Sequence, residues 1–133
     1  MQTKVTPFLM FEGQAEDAMN FYVSLFKDAR VSNIKRYGKG EPGPEGSVML
    51  ATFSLNGQDI MCIDSPAKHA FTFTPSISLF VTCGTTQEVD DLFAKLSPGG
   101  QVMMPLDKYP FSERFAWVAD RYGVSWQLML KPA

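Results

Sequence analysis

Residues 47–64 read SVMLATFSLNGQDIMCID and predict a β-hairpin. The runs Ser47 to Leu55 and Gln58 to Asp64 are rich in apolar, β-branched and aromatic side chains, which favours two strands. Asn56-Gly57 joins them, and this dipeptide readily adopts the positive φ angles of a type I′ turn. The hairpin is the best defined local prediction in the chain, and the other elements can be placed relative to it.

A strand, a helix and an outer strand precede this hairpin, and the same series is repeated in the second half of the chain. The predicted elements of the first half are a strand over 4–11, a helix with apolar positions from 15 to 26, and strands over 30–37, 47–55 and 58–64. Those of the second half are a strand over 76–83, a helix capped by Thr85 or Thr86, and strands over 101–106, 113–120 and 124–130.

The order βαβββ therefore occurs twice, which predicts an α+β fold of two tandem modules within a single domain, 1–133. We place the modules at 1–64 and 75–133 and expect the segment 65–74 to be a connecting loop. One helix cannot cover both faces of its sheet, so the two modules should pair and leave a shared concave surface. Such a surface is the default ligand site of a small protein.

Composition excludes several classes of function. The formal charge of -2 gives no basic field for a nucleic acid or an anionic membrane. No apolar run approaches the ~20 residues of a membrane helix, and a signal-peptide pattern is absent, so we expect a cytoplasmic protein. Cys62 and Cys83 lie far apart and do not form a CxxC pair, so buried reduced thiols are expected. The single histidine, His69, excludes mechanisms that need two imidazoles from one chain.

The glycine-rich segment 38–43, GKGEPG, matches the letters of a dinucleotide-binding fingerprint. That fingerprint works only where a helix N-terminus follows to receive the pyrophosphate. Here Pro44 and a predicted strand follow. We therefore interpret 38–46 as a mobile loop and expect no nucleotide cofactor.

The end of the chain, FAWVADRYGVSWQL over 115–128, resembles the vicinal oxygen chelate superfamily of glyoxalases, bleomycin-resistance proteins and extradiol dioxygenases. The opening PFLMFEG over 7–13, AMNFY over 18–22 and FSER over 111–114 are similar to its PhnB-like group, often called demethylubiquinone methyltransferase-like. The resemblance covers nearly the whole chain. It implies the glyoxalase/bleomycin-resistance fold, in which curled mixed sheets of paired βαβββ modules form clefts, and it implies a homodimer.

Metal enzymes of the superfamily take ligands from set positions of their strands. The equivalent positions here are Pro7, Met61, Ser76 and Gln127. A proline side chain cannot be a ligand, and a thioether, an alcohol and a neutral amide offer a divalent cation neither charge nor imidazole. We therefore expect no metal site of the family type and no other cofactor.

The register of the last hairpin decides which side chains line the cleft. A two-residue turn after Asp120 would pair Ala119 with Val124, Trp117 with Trp126, Ala116 with Gln127, and Arg114 with Met129. The core positions would then be Phe115, Trp117, Trp126 and Leu128, with ligand stacking as the alternative for the two tryptophans. The cleft positions would be Ser76, Ser78, Arg114, Ala116, Ser125 and Gln127.

Each candidate site residue also has a purely structural interpretation. Gln127 and Ser78 either contact a ligand or form structural hydrogen bonds with water or other side chains. Arg114 clamps an anion or pairs with Glu113 or Asp64. His69 is a solvated surface residue or an acid or base at the rim of the cleft. Tyr109 and Phe111 form a flap over the cleft or a simple connection between strands.

The main functional hypothesis is a cytoplasmic homodimer that binds a small organic molecule in a cleft without a metal. Gln127, Ser78 and Arg114 would be its polar anchors, and neither a nucleic acid nor a membrane is expected as a partner. Whether it is an enzyme stays open. The alternatives are a glyoxalase- or dioxygenase-type enzyme with metal ligands such as Glu12, His69 or Glu113, a sequestering resistance protein, and an assembly module covered by a partner chain.

Overall fold

A computed structural model describes residues 2–133 as an α+β protein. The chain divides into two compact units, one up to His69 (unit 1) and one from Ala70 onward (unit 2). Each unit consists of one helix and a four-stranded mixed sheet in the order βαβββ. The predicted fold class is therefore confirmed. No helix among residues 2–133 is both long and apolar enough to cross a membrane.

Unit 1 contains the hairpin from which the sequence was interpreted. Its elements are β1 (Phe8–Phe11), α1 (Ala15–Val23), β2 (Ala29–Arg36), β3 (Val48–Leu55) and β4 (Gln58–Asp64). The strand order is β1-β4-β3-β2, with β1 parallel to β4 and the other pairs antiparallel. Leu55 pairs with Gln58 across Asn56 and Gly57, whose φ angles of 47° and 92° are those of the predicted turn.

The core of unit 1 lies between α1 and one face of its sheet. On β3 and β4, Ala51 pairs with Cys62 and Phe53 pairs with Ile60, and all four side chains are buried. The helix contributes the side chains that recur on one of its faces. These are Ala15, Ala18, Met19 and Tyr22.

The N-terminus of α1 is held by a carboxylate from the sheet. Asp64 ends β4, and its Oδ1 accepts hydrogen bonds from the backbone N–H groups of Gly13 and Ala15, both at 2.9 Å. Its Oδ2 accepts the N–H of Val48 at 3.0 Å. Gln14, at the N-cap position, makes no side-chain capping bond, so Asp64 supplies the acceptor that a capping residue would normally provide.

Unit 2 repeats this arrangement. Its elements are β5 (Leu79–Cys83), α2 (Thr86–Leu96), β6 (Gln101–Tyr109), β7 (Ser112–Ala119) and β8 (Ser125–Leu130). The strand order is β5-β8-β7-β6, with β5 parallel to β8. Thr85 caps α2 by accepting the N–H of Glu88 at 3.2 Å.

The predicted register of the last hairpin is wrong by one residue. Ala119 pairs with Ser125, not with Val124, and Trp117 pairs with Gln127, not with Trp126. The turn has three residues, because the N–H of Asp120 donates to the carbonyl of Val124 at 2.9 Å. Gly123 takes the positive φ, 92°, that closes such a turn.

The first strand of unit 2 also begins later than predicted, at Leu79 and not at Ser76. Residues 75–77 form a turn. Pro75 has no N–H with which to enter a ladder. Ser76 therefore lies before the sheet, where its exposed hydroxyl is 2.7 Å from Thr74 Oγ1.

Candidate ligand-binding face of unit 2

The corrected register divides the side chains of β7 and β8 between two faces of the sheet. Ala116, Val118, Trp126 and Leu128 are almost fully buried. Arg114 points to the same side of the sheet as these residues, because it lies two positions before Ala116 on β7. Its side chain reaches Asp90 on α2, so this face packs against the helix. The opposite face is here called the open face. It carries the remaining cross-strand partners on β5, β7 and β8. These are Phe80, Thr82, Phe115, Trp117, Ala119, Ser125, Gln127 and Met129.

A chain of four hydrogen-bonded side chains, here called the polar chain, crosses the open face. Trp117 Nε1 donates to Ser125 Oγ at 2.9 Å. The hydroxyl oxygens of Ser125 and Ser78 are 2.6 Å apart. Gln127 Nε2 in turn donates to Ser78 Oγ at 3.2 Å. Ser78 lies just before β5 and opposite Ser125, because β5 and β8 are parallel and Leu79 pairs with Trp126.

Three aromatic rings, here called the aromatic cluster, cover the neighbouring part of β7. Tyr109 and Phe111 stack at 5.7 Å between ring centroids, and both meet the ring of Phe115 edge to face. Tyr109 and Ser112 pair across the turn formed by Pro110 and Phe111, so the predicted flap is the end of the β6–β7 hairpin. Tyr109 Oη donates to the carbonyl of Pro105 at 2.7 Å, which fixes its ring.

Arg114 does not lie where the sequence analysis placed it. Its Nε donates to Asp90 Oδ1 at 2.8 Å on the helix side of the sheet. The hydrogen bond to Asp90 raises the pKa of Arg114 above its ordinary value. Arg114 therefore faces away from Gln127 because the three-residue turn moves every residue of β7 by one position relative to β8. Ala116, which the predicted register also placed in the cleft, faces the helix for the same reason.

His69 belongs to unit 1, where it is half-buried. Its Nε2 lies 2.8 Å from Ser65 Oγ, and its backbone N–H donates to Glu12 Oε2 at 3.3 Å. Ser76 is outside the polar chain, as described above. Of the predicted site residues, unit 2 thus brings Ser78 and Gln127 into one hydrogen-bonded chain, and Tyr109 and Phe111 into one aromatic cluster.

Trp117 and Phe115 lie on this face, whereas the predicted register turned both toward the helix. Phe115 is buried as predicted, at 3% exposure, and Trp117 is half-buried. Their periodicity alone could not show their side, because both strands of the hairpin are rich in apolar residues on both faces. Gly123 was the sequence feature that could have shown the register of this hairpin. A glycine at the fourth position of a type I turn that begins at Asp120 favours the three-residue hairpin loop and hence the observed register.

The positions equivalent to the superfamily's metal ligands do not offer a donor set suited to a divalent cation. Pro7 uses its backbone carbonyl to accept the N–H of Met61 at 2.9 Å. Gln127 is neutral and its Nε2 is bonded to Ser78. Within residues 2–133, no group of three His, Cys, Asp or Glu side chains could hold a metal ion. The glycine-rich segment 38–43 lies between β2 and β3 and leads into a strand, not a helix.

Two βαβββ units, each with one helix on a four-stranded mixed sheet, define the fold of the vicinal oxygen chelate superfamily. Residues 3–129 match the family described as 3-demethylubiquinone-9 3-methyltransferase, and the chain belongs to this family, the PhnB-like group of the superfamily.

Solved structures agree with this assignment. A PhnB protein from Bacillus cereus is 57% identical, with a TM-score of 0.95 over 97% of this chain and 100% of that one. Protein PA1353 from Pseudomonas aeruginosa is 24% identical, with a TM-score of 0.85 over 98% of each chain. A glyoxylase/bleomycin resistance protein/dioxygenase domain from Frankia sp. shares the fold at 15% identity, with a TM-score of 0.65 over 99% of this chain and 93% of that one.

Proposed function

We propose that the protein binds a small organic molecule on the open face of unit 2, where the polar chain and the aromatic cluster meet along β7. The observation that carries the proposal is Gln127, a half-buried amide among apolar side chains. Its Oε1 and the second hydrogen of its Nε2 form no hydrogen bond with any residue between 2 and 133. A polar atom placed in this way needs a partner, and a ligand or water can supply it.

We propose that binding proceeds without a family-type metal ion. A divalent cation needs anionic oxygens, thiolates or imidazoles, and the side chains around Gln127 are hydroxyls, an indole and phenyl rings. The work of holding a ligand would then fall to hydrogen bonds and apolar contacts. The family's description as a methyltransferase does not decide the reaction, because no step of methyl transfer follows from these side chains.

We further propose that the protein acts as a homodimer in the cytoplasm. Apolar side chains are exposed at repeat-equivalent positions just before the edge strands β1 and β5. Phe8 pairs with Met61, four residues after Gly57, and Phe80 pairs with Gln127, four residues after Gly123, so Phe8 and Phe80 are equivalent. Val5 and Ile77 lie three residues before them and are 88% and 76% exposed. Matched apolar patches of this kind suit a symmetric contact with a second copy, and the free thiols suit a reducing compartment.

A thermal-shift screen of metabolites and antibiotics tests the binding proposal. A compound present at 100 times its Kd stabilises the folded protein by about 2.7 kcal/mol, which raises Tm by several degrees. The shift should shrink in Gln127→Ala and persist in Arg114→Ala, the matched control on the helix side of the same sheet. A shift that is lost in Arg114→Ala and kept in Gln127→Ala would contradict the proposed site.

A further inference from the structure

The polar chain contains more hydrogen-bond donors than it uses. Trp117 brings one N–H, each of the two serines brings one O–H, and Gln127 brings two N–H groups. The three observed hydrogen bonds consume three of these five hydrogens. Two donor hydrogens therefore remain, and this surplus is the same whichever of the two amide atoms of Gln127 faces Ser78.

Burial decides where the surplus lies. Ser125 is only 2% exposed, whereas Ser78 and Gln127 are half-buried. A buried hydroxyl hydrogen without an acceptor is destabilising, so Ser125 donates its hydrogen to Ser78 Oγ. With Nε2 of Gln127 facing Ser78, the unused hydrogens are those of Ser78 and Gln127, at the accessible end of the polar chain. A ligand at this end meets two donor hydrogens, beside the Gln127 Oε1 acceptor that water can satisfy.

No cation lies among the paired positions of the open face. Those of β5, β7 and β8 are uncharged, Asp107 of β6 pairs with Phe115 and is acidic, and Arg114 is bonded to Asp90 on the other side of the sheet. An anion placed here would lose its hydration without gaining a counter-charge. A neutral acceptor loses much less hydration free energy when it moves to this face. The face therefore favours a neutral oxygen acceptor over a carboxylate, phosphate or phosphonate.

An apolar surface adjoins the same donors. Phe80 is the cross-strand partner of Gln127, and its ring is half exposed. Directly paired residues have Cβ atoms about 5 Å apart, so a flat apolar group held at Gln127 contacts this ring.

We propose that the open face of unit 2 recognises a neutral carbonyl group attached to an aromatic ring, with the carbonyl oxygen accepting hydrogen bonds from Ser78 and Gln127 and the ring packing on Phe80. This inference rests on the proposed function and gives its ligand a chemical class.

Three probes of nearly equal shape test the inference by ligand-observed NMR titration. Acetophenone has the carbonyl, α-methylstyrene has a C=CH₂ group in its place, and benzoate carries a negative charge. Acetophenone should bind about three- to tenfold more tightly than α-methylstyrene, because it alone of the two accepts hydrogen bonds. Benzoate should bind more weakly than acetophenone.

Three variants separate the inference from the proposed function on which it rests. Ser78→Ala and Gln127→Met should remove the advantage of acetophenone over α-methylstyrene, whereas Ser76→Ala, a matched serine outside the polar chain, should keep it. Phe80→Ala should weaken all probes that occupy the face. Equal binding of acetophenone and α-methylstyrene that is lost in Phe80→Ala would overturn the inference and leave the proposed function standing. Binding that Phe80→Ala does not change, or no binding of any probe, would contradict both.

Discussion

Asp64 connects three elements of unit 1 through one side chain. It accepts the N–H groups of Gly13 and Ala15 at the start of α1 and that of Val48 at the start of β3. One buried carboxylate thus joins the helix, the hairpin and the end of β4. Asp120 has a similar role in unit 2, where it accepts the N–H groups of Tyr122 and Val124 and the indole N–H of Trp126.

Replacing Asp64 should therefore destabilise the protein strongly. Asp64→Ala removes the acceptor of three N–H groups and should lower the free energy of unfolding by about 3 kcal/mol or more. Urea denaturation measures the change. Asp59→Asn is the matched control on the same strand, where the carboxylate pairs with exposed Lys4, and it should cost about 0.5 kcal/mol or less. Equal losses in the two variants would contradict this role of Asp64.

The two cysteines should be inert in the folded protein and should lower its stability at alkaline pH. Burial raises the pKa of the Cys62 thiol from 9.0 to about 12 and that of Cys83 to about 11. Because the unfolded chain loses these protons first, the free energy of unfolding should fall as pH rises from about 9 towards 11–12. DTNB should react with neither thiol at pH 8 until the protein is unfolded.

A double variant, Cys62→Ala with Cys83→Ala, isolates the thiol contribution to this pH dependence. Its free energy of unfolding should fall less steeply above pH 9 than that of the wild type. Rapid DTNB reaction of the native protein, or the same alkaline slope in both proteins, would show that the thiols are not protected by burial.

At the scale of elements, the β7–β8 turn determines which side chains form the candidate site. The hydrogen bond from Asp120 N–H to the Val124 carbonyl makes it a three-residue turn, and Gly123 closes it at a φ of 92°. A two-residue turn would have placed Arg114 beside the ligand face and Trp117 in the core. One residue of turn length thus decides whether this face of the sheet carries Arg114 or Trp117.

Substitutions at Gly123 should follow the tolerance of each residue for positive φ. A Cβ at this position meets only ordinary contacts with Phe73, so the cost arises in the backbone. Gly123→Ala should lower the free energy of unfolding by about 1–2 kcal/mol. Gly123→Asn should cost less, because asparagine adopts this conformation more readily. Equal costs for Ala and Asn would show that steric contact, not backbone conformation, sets the penalty.

The fold was predictable from the sequence because its signals are local and occur twice. Asn56-Gly57 specifies its turn almost uniquely, and Thr85 is a strong helix cap. The register of β7 and β8 was not predictable from alternation, since their residues are apolar on both faces. Ser78 and Gln127 were proposed as candidate site residues because polar side chains are conspicuous in such strands. Arg114 was placed on the wrong face because its charge does not reveal the face of a strand.

At the scale of the whole molecule, the internal repeat supports the proposed homodimer. Val5 and Ile77 lie three residues before Phe8 and Phe80 and are 88% and 76% exposed. An exposed apolar side chain thus precedes each edge strand at the same position of the repeat. An isologous contact between two copies can bury both side chains at once.

Light scattering coupled to size-exclusion chromatography should therefore give twice the mass of one chain. Val5→Ser combined with Ile77→Ser should weaken association at least about tenfold, through lost apolar burial. Val102→Ser, which alters another exposed apolar side chain, should leave the dimer intact. A monomeric wild type, or a double variant that associates as tightly, would contradict a dimer built on these positions.

The central claim, that the open face of unit 2 is the ligand site, is tested most directly by the indole N–H signals of the two tryptophans in a ¹⁵N–¹H NMR spectrum. Trp117 donates to Ser125 on the open face, whereas Trp126 donates to Asp120 on the helix side. Titration with a compound that stabilises the protein in the thermal-shift screen should move the Trp117 signal and leave the Trp126 signal in place. Movement of Trp126 alone, or of neither signal at saturation, would contradict the claim.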